Sequence, residues 1–186
     1  MARTPSNMIR LGTVMPEFEL PDVRTGILFR SADISPATVV CVSFICNHCP
    51  YVKHILEGFL EMTKKFDPDL VQFVCISSND AIAYPEDSPE QMKRLAAEKN
   101  FQFPYLYDES QEVARIFQAA CTPDFFLFDK SGKLAYRGQM DDSRPGNNIP
   151  VSGDDLSAAI EALSEGKDVS AIQKPSIGCN IKWKVE

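Results

Sequence analysis

The segment Ser43 to His54, SFICNHCPYVKH, carries two cysteines separated by two residues, a histidine inside the pair and a proline directly after it. Four chemistries use such a pair: zinc binding, haem attachment, peroxide reduction and disulfide exchange. Structural zinc takes four thiolate or imidazole donors, usually with a second close pair. The chain has no second C-x-x-C and only His48 and His54, and His48 is tied too tightly inside the pair to serve easily as a third ligand. Haem attachment calls for histidine after the second cysteine, where this chain has Pro50. A dithiol site fits better. At a strand-to-helix junction, unpaired backbone N–H groups and the helix dipole favour an anion, so a thiolate is expected at Cys46, with Cys49 deeper as the resolving thiol. A protonated His48 adds to that stabilisation and, by favouring the dithiol, makes the disulfide a stronger oxidant. Asn47 has no ionisable role and Pro50 restrains the first helical turn; both flank the thiols where a substrate would touch them. The plain alternative is two unreactive cysteines at a strand end, leaving a binding module with an idle pair.

Four cysteines lie elsewhere. Cys41 in TVVCVSF and Cys75 in VQFVCIS sit in apolar, β-branched runs and read as small core hydrophobes. Cys121 precedes Thr122-Pro123 and reads as a core cysteine, with a third redox thiol as the alternative. Cys179 follows the turn Pro175 to Gly178 in a tail that need not be buried; it is expected to reach the active-site face and pair with a thiol there.

The elements that must position these residues show in the apolar pattern. Two short strands surround a turn at Asp22 to Gly26. A continuous apolar strand, Thr38 to Phe44, runs into the cysteine pair. Val52, Ile55, Leu56, Phe59, Leu60 and Phe66 then give an amphipathic helix, with Pro50 in its first turn. Leu70 to Ser77 is a second buried strand. Ser88, Pro89 and Gln91 form a capping box for a helix facing inward through Met92, Leu95 and Ala96. Tyr105 to Tyr107 is a strand, and Asp108 is expected to cap a helix burying Val113, Ile116 and Phe117. PDFFLFDKSGKLAYRG reads as a hairpin. A polar loop, 138–153, follows; its Arg137, Asp141, Asp142 and Arg144 read as a solvated, internally paired cluster, or else as a wall of the cysteine site. A last helix opens at Asp154 or Asp155 and ends near Gly166. His54 reads as a surface or half-buried helical residue, and Trp183 is expected to anchor the tail. This order specifies an α/β protein with a central mixed sheet flanked by helices.

At 186 residues the chain suits one domain, 1–186, with residues 167–186 as a packed tail. No apolar run nears membrane-spanning length, and MARTPSNMIR lacks the apolar centre of a secretion signal; a cytoplasmic setting and no membrane partner are expected. A net charge of −7 argues against nucleic acid. With no phosphate-cradling glycine motif, no nucleotide is implied, nor any flavin, haem or metal.

FICNHCPYV after an apolar strand, followed some 75 residues later by CTPDFFLFD, resembles the thioredoxin-like superfamily. The opening GTVMPEFELPD is similar to its branch of alkyl hydroperoxide reductase and thiol-specific antioxidant proteins, the redoxins. The resemblance covers roughly Leu11 to Glu165 and implies a thioredoxin-like fold with an N-terminal hairpin. It also implies a cis proline at Pro123 facing the dithiol, with Thr122-Pro123 presenting backbone to an extended substrate. Departures accompany the match. Thioredoxins proper have tryptophan where this chain has Ile45, Gly-Pro where it has Asn47-His48, and a buried acid where it has Val40. The histidine before the second cysteine looks more like the oxidising members. Peroxiredoxins place a proline and a hydroxyl ahead of the peroxidatic cysteine; aligned on Cys46, Ser43 supplies the hydroxyl and Val39 replaces the proline. The expectation is therefore a thiol–disulfide oxidoreductase acting on protein or small-molecule disulfides with a separate electron donor. Its rival is a thiol-dependent peroxidase with Cys46 peroxidatic and Cys49 resolving.

Overall fold

Val39–Phe44 (β4) is β-branched or apolar at five of its six positions and buried at all six, which suits a strand covered on both faces. The computed structural model describes residues 3–185 and places β4 at the centre of a five-stranded sheet. Val71–Ser77 (β5) pairs parallel to it, and Tyr105–Tyr107 (β6) parallel to β5. On the other side Asp124–Phe128 (β8) runs antiparallel to β4 and Leu134–Gly138 (β9) antiparallel to β8, joined by the expected Asp129–Gly132 turn. Glu19–Pro21 (β2) and Leu28–Arg30 (β3) form the N-terminal hairpin.

Alternation along β4 divides the core. Val39 and Cys41 face Pro50–Thr63 (α1), Pro89–Glu98 (α2) and Asp154–Ser164 (α4); Val40, Val42 and Phe44 face Glu112–Ile116 (α3) and the N-terminal segment. Phe59 of α1 centres the first layer, with ring contacts to Phe73, Phe103 and Phe125. Full burial of each such ring stabilises the fold by about 1.5–3 kcal/mol.

Local signals mostly set the helix ends. The Ser88 hydroxyl accepts the Gln91 N–H at 3.4 Å, as the capping box predicts. One helix differs. Asp108 does not cap α3: its buried carboxylate accepts the Ala114 N–H inside the helix, Gln111 at φ +64° occupies the cap, and Ile116 points outward. α4 opens at Asp154, as expected, with Gly153 in the left-handed region at its cap.

The larger departure is at the termini. Arg3–Pro5 (β1), Ile177–Asn180 (β10) and Cys121–Thr122 (β7) form a second, antiparallel sheet in the order β1-β10-β7. Cys179, expected in a tail that need not be buried, is 1% exposed. Ile181 is also buried, whereas Trp183 is 39% exposed, with the Arg115 guanidinium over its ring; Ile181, more than Trp183, anchors the tail. Among the described residues no helix is long and apolar enough to cross a membrane.

Candidate active site

β4 ends at Phe44 and α1 begins at Pro50, so Cys46 to Cys49 form the junction between a central strand and a helix N-terminus. Cys49 is the N-cap residue and Pro50 the first helical residue, exposed, as the sequence predicts. The loop meets Thr122-Pro123, and that peptide bond is cis. Cys46 Sγ lies 3.4 Å from the Thr122 hydroxyl and 4.0 Å from His48 Nδ1. Cys49 Sγ lies 3.1 Å from the Thr122 carbonyl oxygen and 2.9 Å from Cys179 Sγ. Cys46, His48, Cys49, Thr122 and Cys179 are thus brought together, with Pro123 directly behind Thr122.

The charge distribution differs from the expected one. A hydrogen bond from Cys46 holds the Cys49 thiol down at about 5, against burial, with help from Cys179 and the Val52 N–H. That same bond, burial and the Asp87 carboxylate push the Cys46 thiol well up. Negative charge within the pair is thus favoured on Cys49 and disfavoured on Cys46. Cys49, not Cys46, occupies the N-cap position of α1, at the positive end of the helix dipole, which adds to the effect of Cys46. When Cys49 is protonated, the Thr122 carbonyl is placed to accept its S–H. Burial, then Cys49, push Cys179 up to about 12, so it stands beside the thiolate as a thiol.

Asp87, which the sequence reading missed, holds the Asn47-His48 loop. Its Oδ1 accepts the main-chain N–H groups of Asn47 and His48 at 2.8 and 3.1 Å. Its Oδ2 pairs with His48 Nδ1 at 2.5 Å and accepts Asn79 Nδ2 at 2.8 Å. Asp87 ends a short 3-10 turn, Pro85–Asp87, and is fully buried. Nothing in its spacing relates it to Cys46; the only sequence trace is an acid trapped between prolines before a capping box. Tyr84 stacks on His48 with ring centroids 5.2 Å apart, and the Asn47 side chain accepts the Tyr105 hydroxyl at 3.0 Å. Asn47 also borders a cleft of about 420 Å³, lined further by Pro85, Glu86, Gln91 and Arg94.

Cys46 Sγ, His48 Nδ1 and an Asp87 oxygen lie within 4.8 Å of one another, a donor set able to hold a soft cation. Each Asp87 oxygen already accepts two hydrogen bonds, so a cation there would have to displace the loop's own contacts.

The remaining expectations divide. Cys41 and Cys75 are fully buried in strands, and burial raises both thiols, Cys41 to about 12. Cys121 is buried with its thiol directed at the Pro123 carbonyl, 3.4 Å away, and burial pushes it well up. Ser43 is turned toward Cys41, 3.6 Å away; the hydroxyl that meets Cys46 is that of Thr122. Thr122, expected to offer its main chain to a substrate, is paired with Cys179 across β7 and β10. His54 is half-buried. The 138–153 loop is internally paired and in large part solvated: Asp142 and residues 145–150 are exposed, whereas Gln139, Met140, Asp141 and Ser143 are buried and Asp141 accepts the Ser143, Ser152 and Gly153 N–H groups. With Tyr51 and Pro123, its Met140 to Pro145 segment borders a small crevice beside the α1 N-terminus.

Comparison with known proteins agrees with this geometry. An uncharacterized conserved protein from Geobacillus kaustophilus superposes with a TM-score of 0.97 at 52% identity, over 100% of this chain and 98% of that one. A hypothetical protein from Sinorhizobium meliloti 1021 gives a TM-score of 0.95 at 46% identity, over 98% and 100%. The thioredoxin domain of a thiol-disulfide oxidoreductase from Bacteroides vulgatus gives 0.64 at 18% identity, over 84% and 99%, which establishes the thioredoxin-like fold. A search of curated proteins finds no match. Residues 11–137, more than half the chain, match the AhpC/TSA family. With its thioredoxin-like fold and a thiol pair at the strand-to-helix junction, the chain belongs to the AhpC/TSA family.

Proposed function

We propose that the protein is a thiol–disulfide oxidoreductase working through Cys46 and Cys49, with protein or small-molecule disulfides as substrates and a separate thiol as electron donor. The observation that carries this reading is geometric: two cysteines at the strand-to-helix junction meet one residue, Cys46 the Thr122 hydroxyl at 3.4 Å and Cys49 the Thr122 carbonyl at 3.1 Å, with the Cys49 thiol held down. Cys46 lies next to the Asn47 end of the cleft and attacks the substrate disulfide, passing its proton to the Cys49 thiolate. One substrate sulfur leaves as a thiolate and the other stays bonded to Cys46. Cys49 then attacks Cys46; its proton and one from solvent convert both substrate sulfurs to thiols, and the chain keeps a Cys46–Cys49 disulfide. His48, clamped by Asp87, sets the electrostatics around Cys46. The similarity of fold to a thiol-disulfide oxidoreductase domain supports the same class of reaction. A cytoplasmic setting, where such a pair is kept reduced, is part of this proposal.

The test compares reduction of a small disulfide-bonded protein with consumption of hydrogen peroxide. Cys46→Ser is expected to abolish disulfide reduction. Cys49→Ser is expected to stop turnover and trap a mixed disulfide on Cys46. Peroxide turnover by Cys49→Ser with an added thiol would sink this reading and establish the peroxidase.

A further inference from the structure

β10 lies on β7 with Cys179 opposite Thr122, the residue whose hydroxyl meets Cys46 and whose carbonyl meets Cys49. The strand is held there on several sides. The Ser176 hydroxyl donates to the Pro123 carbonyl at 2.6 Å, and the Ser6 N–H to the Ser176 carbonyl at 2.8 Å. Beyond the strand, the Lys182 N–H donates to Asn79, the side chain that also holds Asp87. Gln111 donates to the Lys182 carbonyl and accepts the Lys184 N–H. Gly178 approaches so closely that a Cβ there would sit 1.9 Å from the Thr122 carbonyl oxygen. An extended segment carrying a cysteine, paired beside the cis proline, is the arrangement a disulfide substrate would adopt, and here the chain supplies it itself.

We infer that Cys179 is a third redox thiol, exchanging with the Cys46–Cys49 disulfide to move the bridge to Cys49–Cys179. The inference rests on the dithiol reading above. Cys179 Sγ attacks Cys49 Sγ; the new bond is Cys49–Cys179, the bond that breaks is Cys46–Cys49, and its electron pair leaves on Cys46 Sγ. The proton lost by Cys179 is balanced by one taken up at Cys46. The chain gains and loses no electrons, so no further oxidant is needed. The exchange locks the tail to α1 and returns Cys46 to the cleft as a thiol, able to meet a second thiol or disulfide.

The experiment oxidises the reduced protein with a slight excess of oxidised glutathione, quenches in acid, alkylates and maps the disulfides. A bridge between residues 130 apart compacts the denatured chain, so it also migrates faster on a non-reducing denaturing gel; a Cys46–Cys49 bridge does not. Oxidised wild type is expected to give the faster band, a Cys49–Cys179 linked peptide and an alkylated Cys46. Cys179→Ser is expected to give a Cys46–Cys49 bridge and no faster band. Oxidised wild type holding only Cys46–Cys49, with Cys179 alkylated, would overturn the inference and leave the dithiol reading standing. No Cys46–Cys49 bridge in Cys179→Ser would overturn the dithiol reading, and the exchange with it. The wild-type map decides the question even where the variant folds poorly.

Discussion

Each oxygen of the Asp87 carboxylate accepts two hydrogen bonds, from the Asn47 and His48 main chain on one side and the His48 ring and Asn79 on the other. Asp87→Asn must turn an amide NH2 toward donors, leaving buried groups unmatched, a loss of about 2–4 kcal/mol in denaturant unfolding. It also removes a negative charge that pushes the Cys46 thiol up, so the reduced variant is expected to alkylate faster at neutral pH. Slower alkylation, or unchanged stability, would show that Asp87 neither clamps the loop nor faces Cys46 as a charge. Asp124, two residues after Thr122, offers a separate test. Burial pushes its carboxyl up to about 7, against the Ser6 hydroxyl and the Ala120 N–H. The folded pKa is raised above the unfolded value of ~3.9, so the folded chain keeps a proton the unfolded chain has shed. Stability from this group is therefore complete below about pH 4 and lost as pH rises through about 7. Asp124→Asn is expected to gain on wild type by roughly 3 kcal/mol between pH 5 and 8. Parallel pH–stability curves for the two proteins would refute it.

At the scale of elements, β10 is a four-residue strand whose position depends on a missing side chain. A Cβ on Gly178 would meet the Thr122 carbonyl oxygen and carbon at 1.9 and 2.5 Å and the Pro123 nitrogen at 3.0 Å, all backbone that cannot rotate away. Gly178→Ala is therefore expected to push β10 off β7, at a cost of about 1–3 kcal/mol, and to expose Cys179 to alkylation in the native protein. Wild-type protection of Cys179 in the variant would mean that something other than this contact seats the strand. The same geometry explains what sequence reading reached. β4, β5 and α1 announce themselves because their apolar residues repeat at the period of the element. The Cys46 and Cys49 pair and cis Pro123 are legible through a family motif. β1, β7 and β10 have two to four residues each and no repeating pattern; they exist as strands only through one another. Asp87 is likewise invisible until the fold brings 3-10 turn and loop together, because its partners lie 39 and 40 residues away.

On the scale of the whole molecule, the tail completes both the sheet and the site, although the family match ends at residue 137. β10 is the strand to which β1 pairs, Ile181 is buried against the α3 side of the core, and Lys182 joins Asn79 and Gln111 to the tail. A chain ending at Lys174 loses the burial of Ile181, worth about 1.5–3 kcal/mol. It also loses several hydrogen bonds of about 0.5–1.5 kcal/mol each. The sum is on the order of 5 kcal/mol, comparable to the whole net stability of a marginal domain. Removing only residues 183–186 deletes the half-exposed Trp183 contact and one bond to Gln111, a loss of about 1 kcal/mol. The shorter chain is accordingly expected to lose its cooperative unfolding transition at 25 °C, while the chain ending at Lys182 keeps one close to wild type. Circular dichroism during urea unfolding separates the cases. A cooperative, wild-type-like transition in the chain ending at Lys174 would show that the domain closes without its tail, and that β10 serves the thiols alone.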